Sequence, residues 1–406
     1  MIRSLVSAAV GAWLLSYQVA HAQPERPLQV IVSRADVLLA AQAASRAGAP
    51  GIVPARDRLL RDVERLASQP MVAVTDKRTH RAPSGDPHDY LSLSPYWWPD
   101  STKSDGLPYI RRDGVTNPES KADLDQPRIE ALGDRVQRFT LAWWLTGDRR
   151  WSTLAAQQIR TWFTDSATRM TPHLKYAQLI RGTDKIRGTG IIDSRRLIEV
   201  VDAIGLLQRS PDWTPQDDAA VKGWFRSYVQ WMWESPHGAY ERAAKNNHGS
   251  WYGTQMAVFS LFVGDTARAR EMVRAAQRRV DTQIARDGVQ AEEMTRTRSM
   301  HYSLFNLEAL SLAAEVGRVV GVDLWGHVAP SGASLTVGLE HVAKYVGKES
   351  QWPGQQLEPV RATELLRAYR RAGLALDAGL TTRVLAALPT DVASKDVSVV
   401  QFWTAR

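Results

Sequence analysis

The chain has 406 residues, with 51 Lys plus Arg against 43 Asp plus Glu, and so a net charge of +8. Hydrophobic residues make up 44% and Cys is absent. That excludes a mostly disordered chain, a disulfide framework, a zinc–thiolate site and a cysteine nucleophile. The 15 Trp suit either a sugar-binding cleft or a helical core, since each offers a flat apolar face and one N–H donor.

In chain order, the first segment reads as an address. Arg3 precedes the apolar run Leu5–Leu15, and Ala20-His21-Ala22 fits the small-x-small cleavage pattern. Residues 1–22 are expected to be a signal peptide cleaved after Ala22, leaving 23–406 as one domain. The run is too short to span a bilayer, and no later stretch approaches ~18 uninterrupted apolar residues. The mature protein is expected in the periplasm or secreted, without a membrane anchor. Outside the cytoplasm nucleic acid is not an expected partner. Positive charge then suits an acidic polysaccharide, although +8 on this length is also ordinary surface charge.

Residues 70–128 are rich in Pro, Gly, Asp and aromatics, including Pro95-Tyr96-Trp97-Trp98-Pro99. A long aromatic loop in a compact domain is expected to be ordered and functional, here an excursion over the mouth of the fold. Beyond residue 120 the pattern is helical. Ile129, Leu132, Val136, Phe139 and Trp143 step by three and four, and so do the apolar residues of 151–162, 197–207 and 221–232. A second loop runs from Met170 to Asp193. Trp251–Val263 reads as a buried helix, Arg268–Ile284 as a basic amphipathic one, and Tyr302–Val320 as another long helix. Shorter helices are expected at 334–346, 361–374 and 380–388. Strand alternation is weak throughout. Gly147-Asp148 and Gly264-Asp265 sit between helices, where Gly ends one and Asp caps the next. Such tight links make consecutive helices antiparallel neighbours. With no short exact repeat, the expected fold is all-α, a single incomplete (α/α) toroid of helical hairpins with aromatic-rich loops over its cleft.

The polar triplet Asn246-Asn247-His248 precedes the buried helix. His248 there suits a base, a structural group or a ligand, but no partner stands at metal-ligand spacing, so no metal or cofactor is expected. In Glu292-Glu293-Met294-Thr295-Arg296-Thr297-Arg298-Ser299-Met300-His301-Tyr302, an Arg near Tyr302 would favour its phenolate and lower its pKa from about 10. The same stretch also reads as a capped helix start with solvated charges. Asp86, Asp89, Glu292 and Glu293 supply carboxylates for a glycoside-hydrolase pair. Gly188-Thr-Gly190 lacks the third Gly and the preceding strand of a nucleotide site.

The run from Ser84 to Asp100, with Asp105–Tyr109, Arg112–Gly114, Asn117–Glu119, Tyr176–Gln178, Arg187–Asp193, Asn246–Trp251 and Arg296–Tyr302, closely resembles the alginate lyase domain family. The blocks occur in order over about 75 to 355. The resemblance implies an (α/α) toroid polysaccharide lyase that cleaves a polyuronate by β-elimination. The DPHDY and YWWPD blocks resemble a broader branch acting on glucuronan or alginate. Matching motif to motif places Asn247 and His248 at the neutraliser and His positions and Tyr302 at the Tyr position. Arg296 joins Asn247 as a carboxylate neutraliser, with Arg298 its rival. Neutralising the carboxylate acidifies the C5 proton, and Tyr302 serves as base and acid. On mannuronate or glucuronate the two reacting groups are syn and Tyr302 does both jobs; on guluronate they are anti, with His248 as base. Tyr96, Trp97, Trp98, Tyr176, Gln178, Asn246 and Arg298 are expected to bind substrate. The alternatives from other classes are an inverting hydrolase on an acidic polysaccharide and a non-catalytic periplasmic binding protein.

Overall fold

The computed structural model describes residues 28–404. The signal peptide expected at 1–22 lies outside them. Helices follow one another as hairpins: Asp125–Thr146 with Arg149–Phe163, Leu197–Leu207 with Pro215–Glu234, and Asn247–Phe262 with Thr266–Gln283. Ser299–Val320 then precedes Leu335–Ala343, and Ala362–Ala372 precedes Ala378–Ala386. This is the expected all-α toroid of antiparallel pairs.

The links behave as their residues dictate. Gly147 ends its helix at φ 75°, its N–H bonding to the Trp143 carbonyl, and the Asp148 side chain accepts from Arg150 N. Gly264 at φ 94° and Asp265, which accepts from Arg268 N, repeat the device. The main core is a large apolar cluster in which Phe139, Trp162, Tyr228 and Phe259 are fully buried. Trp144, Trp151, Trp162 and Trp224 all belong to it, so much of the tryptophan is core.

Two helices precede residue 120 that the apolar spacing does not announce, Ala35–Arg46 and Val53–Ala67. The first buries only Val37, Leu38, Ala41 and Ser45; small side chains dilute the periodic signal. The last short helices, Thr390–Lys395 and Ser398–Gln401, pack against these first two. The backbone N–H groups of Ile31, Val32 and Ser33 converge on one Asp202 carboxylate oxygen at 2.8, 2.9 and 3.3 Å. That carboxylate fixes the entry of the chain against Leu197–Leu207.

The 70–128 segment carries short pieces of strand. Leu91–Leu93 pairs in parallel with Tyr176–Leu179, and Trp97–Trp98 pairs antiparallel with Ile110–Arg111. Its base is anchored by Lys77, whose Nζ donates to Asp125 Oδ2 at 2.6 Å with both side chains wholly buried. Asp193 is the second anchor. It accepts from Ser92 Oγ (2.7 Å), Gln178 Nε2 (2.9 Å) and Tyr90 Oη (3.0 Å), tying both loops to one buried carboxylate. Gly190 is needed for closeness: a Cβ there would run into the Ala177 backbone. That accounts for Gly188-Thr-Gly190 by packing, with no nucleotide.

Candidate active site

The structure holds a cavity of about 660 Å³. Tyr96, Trp97, Gln178, Asn246, Asn247, His248, Arg296, Arg298 and Tyr302 all line it. Four separate stretches of sequence therefore meet at one place.

His248 sits in the first turn of Asn247–Phe262, whose cap is Asn246; the Asn246 Oδ1 accepts from His248 N at 3.1 Å. His248 Nδ1 lies 2.6 Å from Oε1 of Glu241, a fully buried residue of the short helix Pro236–Arg242. A carboxylate accepts, so Nδ1 carries the proton and Nε2 is left as the basic nitrogen. Glu241 escapes sequence reasoning because it belongs to a different helix from His248.

Asn247 is fully buried. Its backbone N–H and its Nδ2 donate to the two oxygens of Glu293, at 2.6 and 2.8 Å. Burial lifts the Glu293 carboxyl above its ordinary range, against the pull of the Asn247 hydrogen bonds. Asn247 Oδ1 is buried without a hydrogen-bond partner among the described residues.

Tyr302 lies in the first turn of Ser299–Val320, and its Oη donates to Tyr96 Oη at 2.7 Å. Burial pushes its pKa well above the ordinary tyrosine value and the Tyr96 hydroxyl adds to this, while the Arg296 cation pulls the other way. Tyr302 therefore carries its proton. The phenolate expected from a neighbouring Arg is not the resting state, because desolvation outweighs that charge.

Arg296 lines the cavity beside Tyr302. Its guanidinium stacks 3.6 Å over the Tyr302 ring. Its Nε and Nη2 are engaged by Asp113, at 2.9 Å for Nη2 to Oδ1. Asp113 also accepts from Thr297 N at 3.1 Å. Burial raises the Asp113 carboxyl, but Arg296, the Thr297 N–H and Arg111 together hold it far below the carboxylate range. Asp113 thus straps the aromatic loop to the segment that leads into Ser299–Val320. It lies in the Arg112–Gly114 block but carried no signal of its own, being 183 residues from Arg296. Arg298 is looser. Its ion pair is with Glu358, 3.3 Å away and 59% exposed, and its Nε is buried without a partner among the described residues.

Two expected binding residues stand outside the cavity lining. Trp98 follows Trp97 on a strand, and successive strand side chains point to opposite faces. Trp97 therefore meets the cavity, while Trp98 donates its Nε1–H to the Val115 carbonyl at 2.9 Å and lies under Arg112. Tyr176 packs on a small apolar cluster of Ala82, Leu91 and Leu124. Gln178, two residues on, reaches the cavity because its φ of 51° turns the chain out of strand geometry. Trp98→Ala is accordingly expected to lower the melting temperature with KM within about twofold of wild type, whereas Trp97→Ala raises KM. Thermal melts and steady-state kinetics on the two variants check this.

Of the four hydrolase carboxylates, Glu292 lines the cavity. Glu293 is spent on Asn247, Asp89 bonds Ser84 and His173, and Asp86 caps its own turn at His88 N. They do not form a facing pair. No group of three His, Cys, Asp or Glu among the described residues is placed to hold a metal.

A helical toroid with a Tyr, a carboxylate-held His and arginines in one cleft is the architecture of a polysaccharide lyase. The alginate lyase family model matches residues 73–352, and the chain belongs to that family. An alginate lyase from Bacteroides ovatus superposes with a TM-score of 0.86 at 34% identity, over 92% of this chain and 99% of that one. A histidine-to-alanine variant of alginate lyase A1-III complexed with tetrasaccharide matches at TM-score 0.60 and 14% identity, over 93% and 98%. A1-III from Sphingomonas species A1 gives TM-score 0.53 at 14% identity, over 87% and 97%. These last two likenesses are of fold alone. No curated protein matches the sequence.

Proposed function

We propose that this lyase is exported to the periplasm and cleaves a polyuronate of the alginate or glucuronan type by β-elimination. His248 Nε2 takes the C5 proton and Tyr302 gives its proton to the departing O4. The observation that carries these roles is one cavity holding an imidazole fixed through Nδ1 by buried Glu241 and a tyrosine kept protonated by burial. One group is prepared as base and the other as acid. Membership of the alginate lyase family and the 34% identical relative support the substrate class.

Removing the C5 proton places charge on the uronate carboxylate, and that charge needs donors held ready. Asn247 is fixed by Glu293 and has an amide hydrogen to spare. Arg296 is held by Asp113 through Nε and Nη2, while Arg298 is tied only to the exposed Glu358 and is the freer of the two to turn to the substrate, so we assign it the carboxylate. Arg296, committed to Asp113, acts on Tyr302 through its ring. The assignment predicts different failures. Arg298→Ala raises KM and lowers kcat/KM by about tenfold or more, as loss of a charged hydrogen bond would. Arg296→Ala removes the cation that pulls the Tyr302 pKa down, so any phenolate-dependent rise in rate moves to higher pH. Rate-against-pH profiles of the two variants separate the roles.

The stacking of Arg296 on Tyr302 favours a second reading, in which substrate binding frees the phenolate and Tyr302 acts as both base and acid on a syn substrate. Activity on polyguluronate against polymannuronate and glucuronan decides between them. The anti geometry needs His248 as base, and the syn geometry needs only Tyr302.

A further inference from the structure

We propose that His301, held by Glu364, binds the uronate next to the one being cleaved, with Arg195 as the second contact. The proposal rests on the polyuronate reading and extends it to a second sugar. His301 is the residue before Tyr302 and lines the same cavity. Its Nδ1 lies 2.9 Å from Glu364 Oε2, on the helix Ala362–Ala372. This repeats the construction of His248 with Glu241: the carboxylate settles which nitrogen carries the proton and leaves Nε2 for the cavity.

The ring is also held in place from the side. It stacks on Phe305 with centroids 5.8 Å apart and planes 11° apart, and meets the Tyr302 ring edge-on at 5.1 Å. Phe305 in turn carries Arg195, whose guanidinium carbon lies 5.6 Å from its centroid and whose Nη2 bonds Glu130 at 3.0 Å. Phe305 and Arg195 both line the cavity. Two nitrogen-bearing side chains, each pinned by its own carboxylate, thus share one aromatic ring on the wall beside Tyr302. Unlike the carboxylate-held His173 and His327, His301 lines the cavity, so the orientation that Glu364 fixes is available to a sugar hydroxyl or carboxylate, a contact that gains from geometry set before the ligand arrives. His301 does not touch the reacting atoms in this assignment, so it governs binding and not chemistry.

The experiment uses Tyr302→Phe, which is expected to bind without cleaving, and measures by calorimetry the affinity of mannuronate, guluronate and glucuronate tetramers. Adding His301→Gln is expected to weaken the binding of at least one tetramer by about tenfold or more, as loss of a well-placed hydrogen bond to a charged or polar group does. Glu364→Gln, which keeps a hydrogen-bonding side chain but releases the tautomer, weakens it in the same direction by less and serves if His301→Gln does not fold. In the active enzyme His301→Gln raises KM with kcat held within about threefold. Unchanged tetramer affinity, with or without a lower melting temperature, overturns the proposal and leaves the lyase reading intact. A fall in kcat at constant KM overturns it too, since His301 would then act on the reacting atoms. Failure of Tyr302→Phe to bind any of the three tetramers removes the polyuronate reading and this inference with it.

Discussion

Tyr302→Phe is expected to lower turnover by at least ~100-fold, the usual share of a positioned acid or base, with little change in stability. The substitution deletes one oxygen. The ring keeps its place beneath Arg296 and against His301 and Phe305, and the hydrogen bond lost is the one to Tyr96. Stability should fall only by the modest net worth of that bond, about 1 kcal/mol. The rate measured under saturating substrate, beside a thermal melt, tests both halves. Near wild-type turnover would remove Tyr302 from the chemistry. The pH dependence follows from the sign of the shift. Burial raises the Tyr302 pKa, so the acid form persists past about pH 10, where an ordinary tyrosine ionises. A Tyr acting as acid then gives no alkaline fall in rate at that pH, whereas a Tyr acting first as phenolate gives a rate that climbs with pH.

The second large effect belongs to His248. His248→Gln keeps hydrogen bonding and loses basicity, so on polyguluronate it should remove nearly all activity, about 100-fold or more. On polymannuronate or glucuronan measurable activity should remain if Tyr302 can shuttle the proton on one face. The quantity to compare is the ratio of the two activities in variant and wild type. An unchanged ratio, both falling together, would give His248 one role on both geometries. Glu241→Gln should follow His248→Gln in direction. A neutral amide no longer enforces a proton on Nδ1, and the loss of such an orienting carboxylate is costly wherever a histidine must present one nitrogen as base. Its melting temperature is the control, because Glu241 is fully buried.

The toroid was legible because its helices bury one face each and the spacing of three and four recurs down the chain. Gly147-Asp148 and Gly264-Asp265 gave the turns through residue chemistry alone. Ala35–Arg46 was not legible, since its buried face is built partly from alanine and serine. At the site, the blocks carrying Asn247, His248, Arg296 and Tyr302 were visible as motifs, and the fold gathers them around one cavity. Their partners were not visible. Asp113 meets Arg296 from another loop, and Glu293 and Glu241 meet Asn247 and His248 from other helices. Those pairings exist only in three dimensions, and they change the roles: Arg296 is committed to Asp113, and burial keeps Tyr302 protonated. Trp98 fails as a cleft residue for a local reason, the alternation of a strand, which two adjacent tryptophans could have announced.

The account stands most directly on the products of wild type and Tyr302→Phe acting on polymannuronate, polyguluronate and glucuronan, followed by ultraviolet absorbance and by reducing ends. β-Elimination leaves a C4–C5 unsaturated sugar at each new end. The account predicts that absorbance and reducing ends rise together in wild type on at least one polymer and that both are nearly abolished in Tyr302→Phe. New reducing ends without absorbance, or equal absorbance from the two proteins, would contradict it.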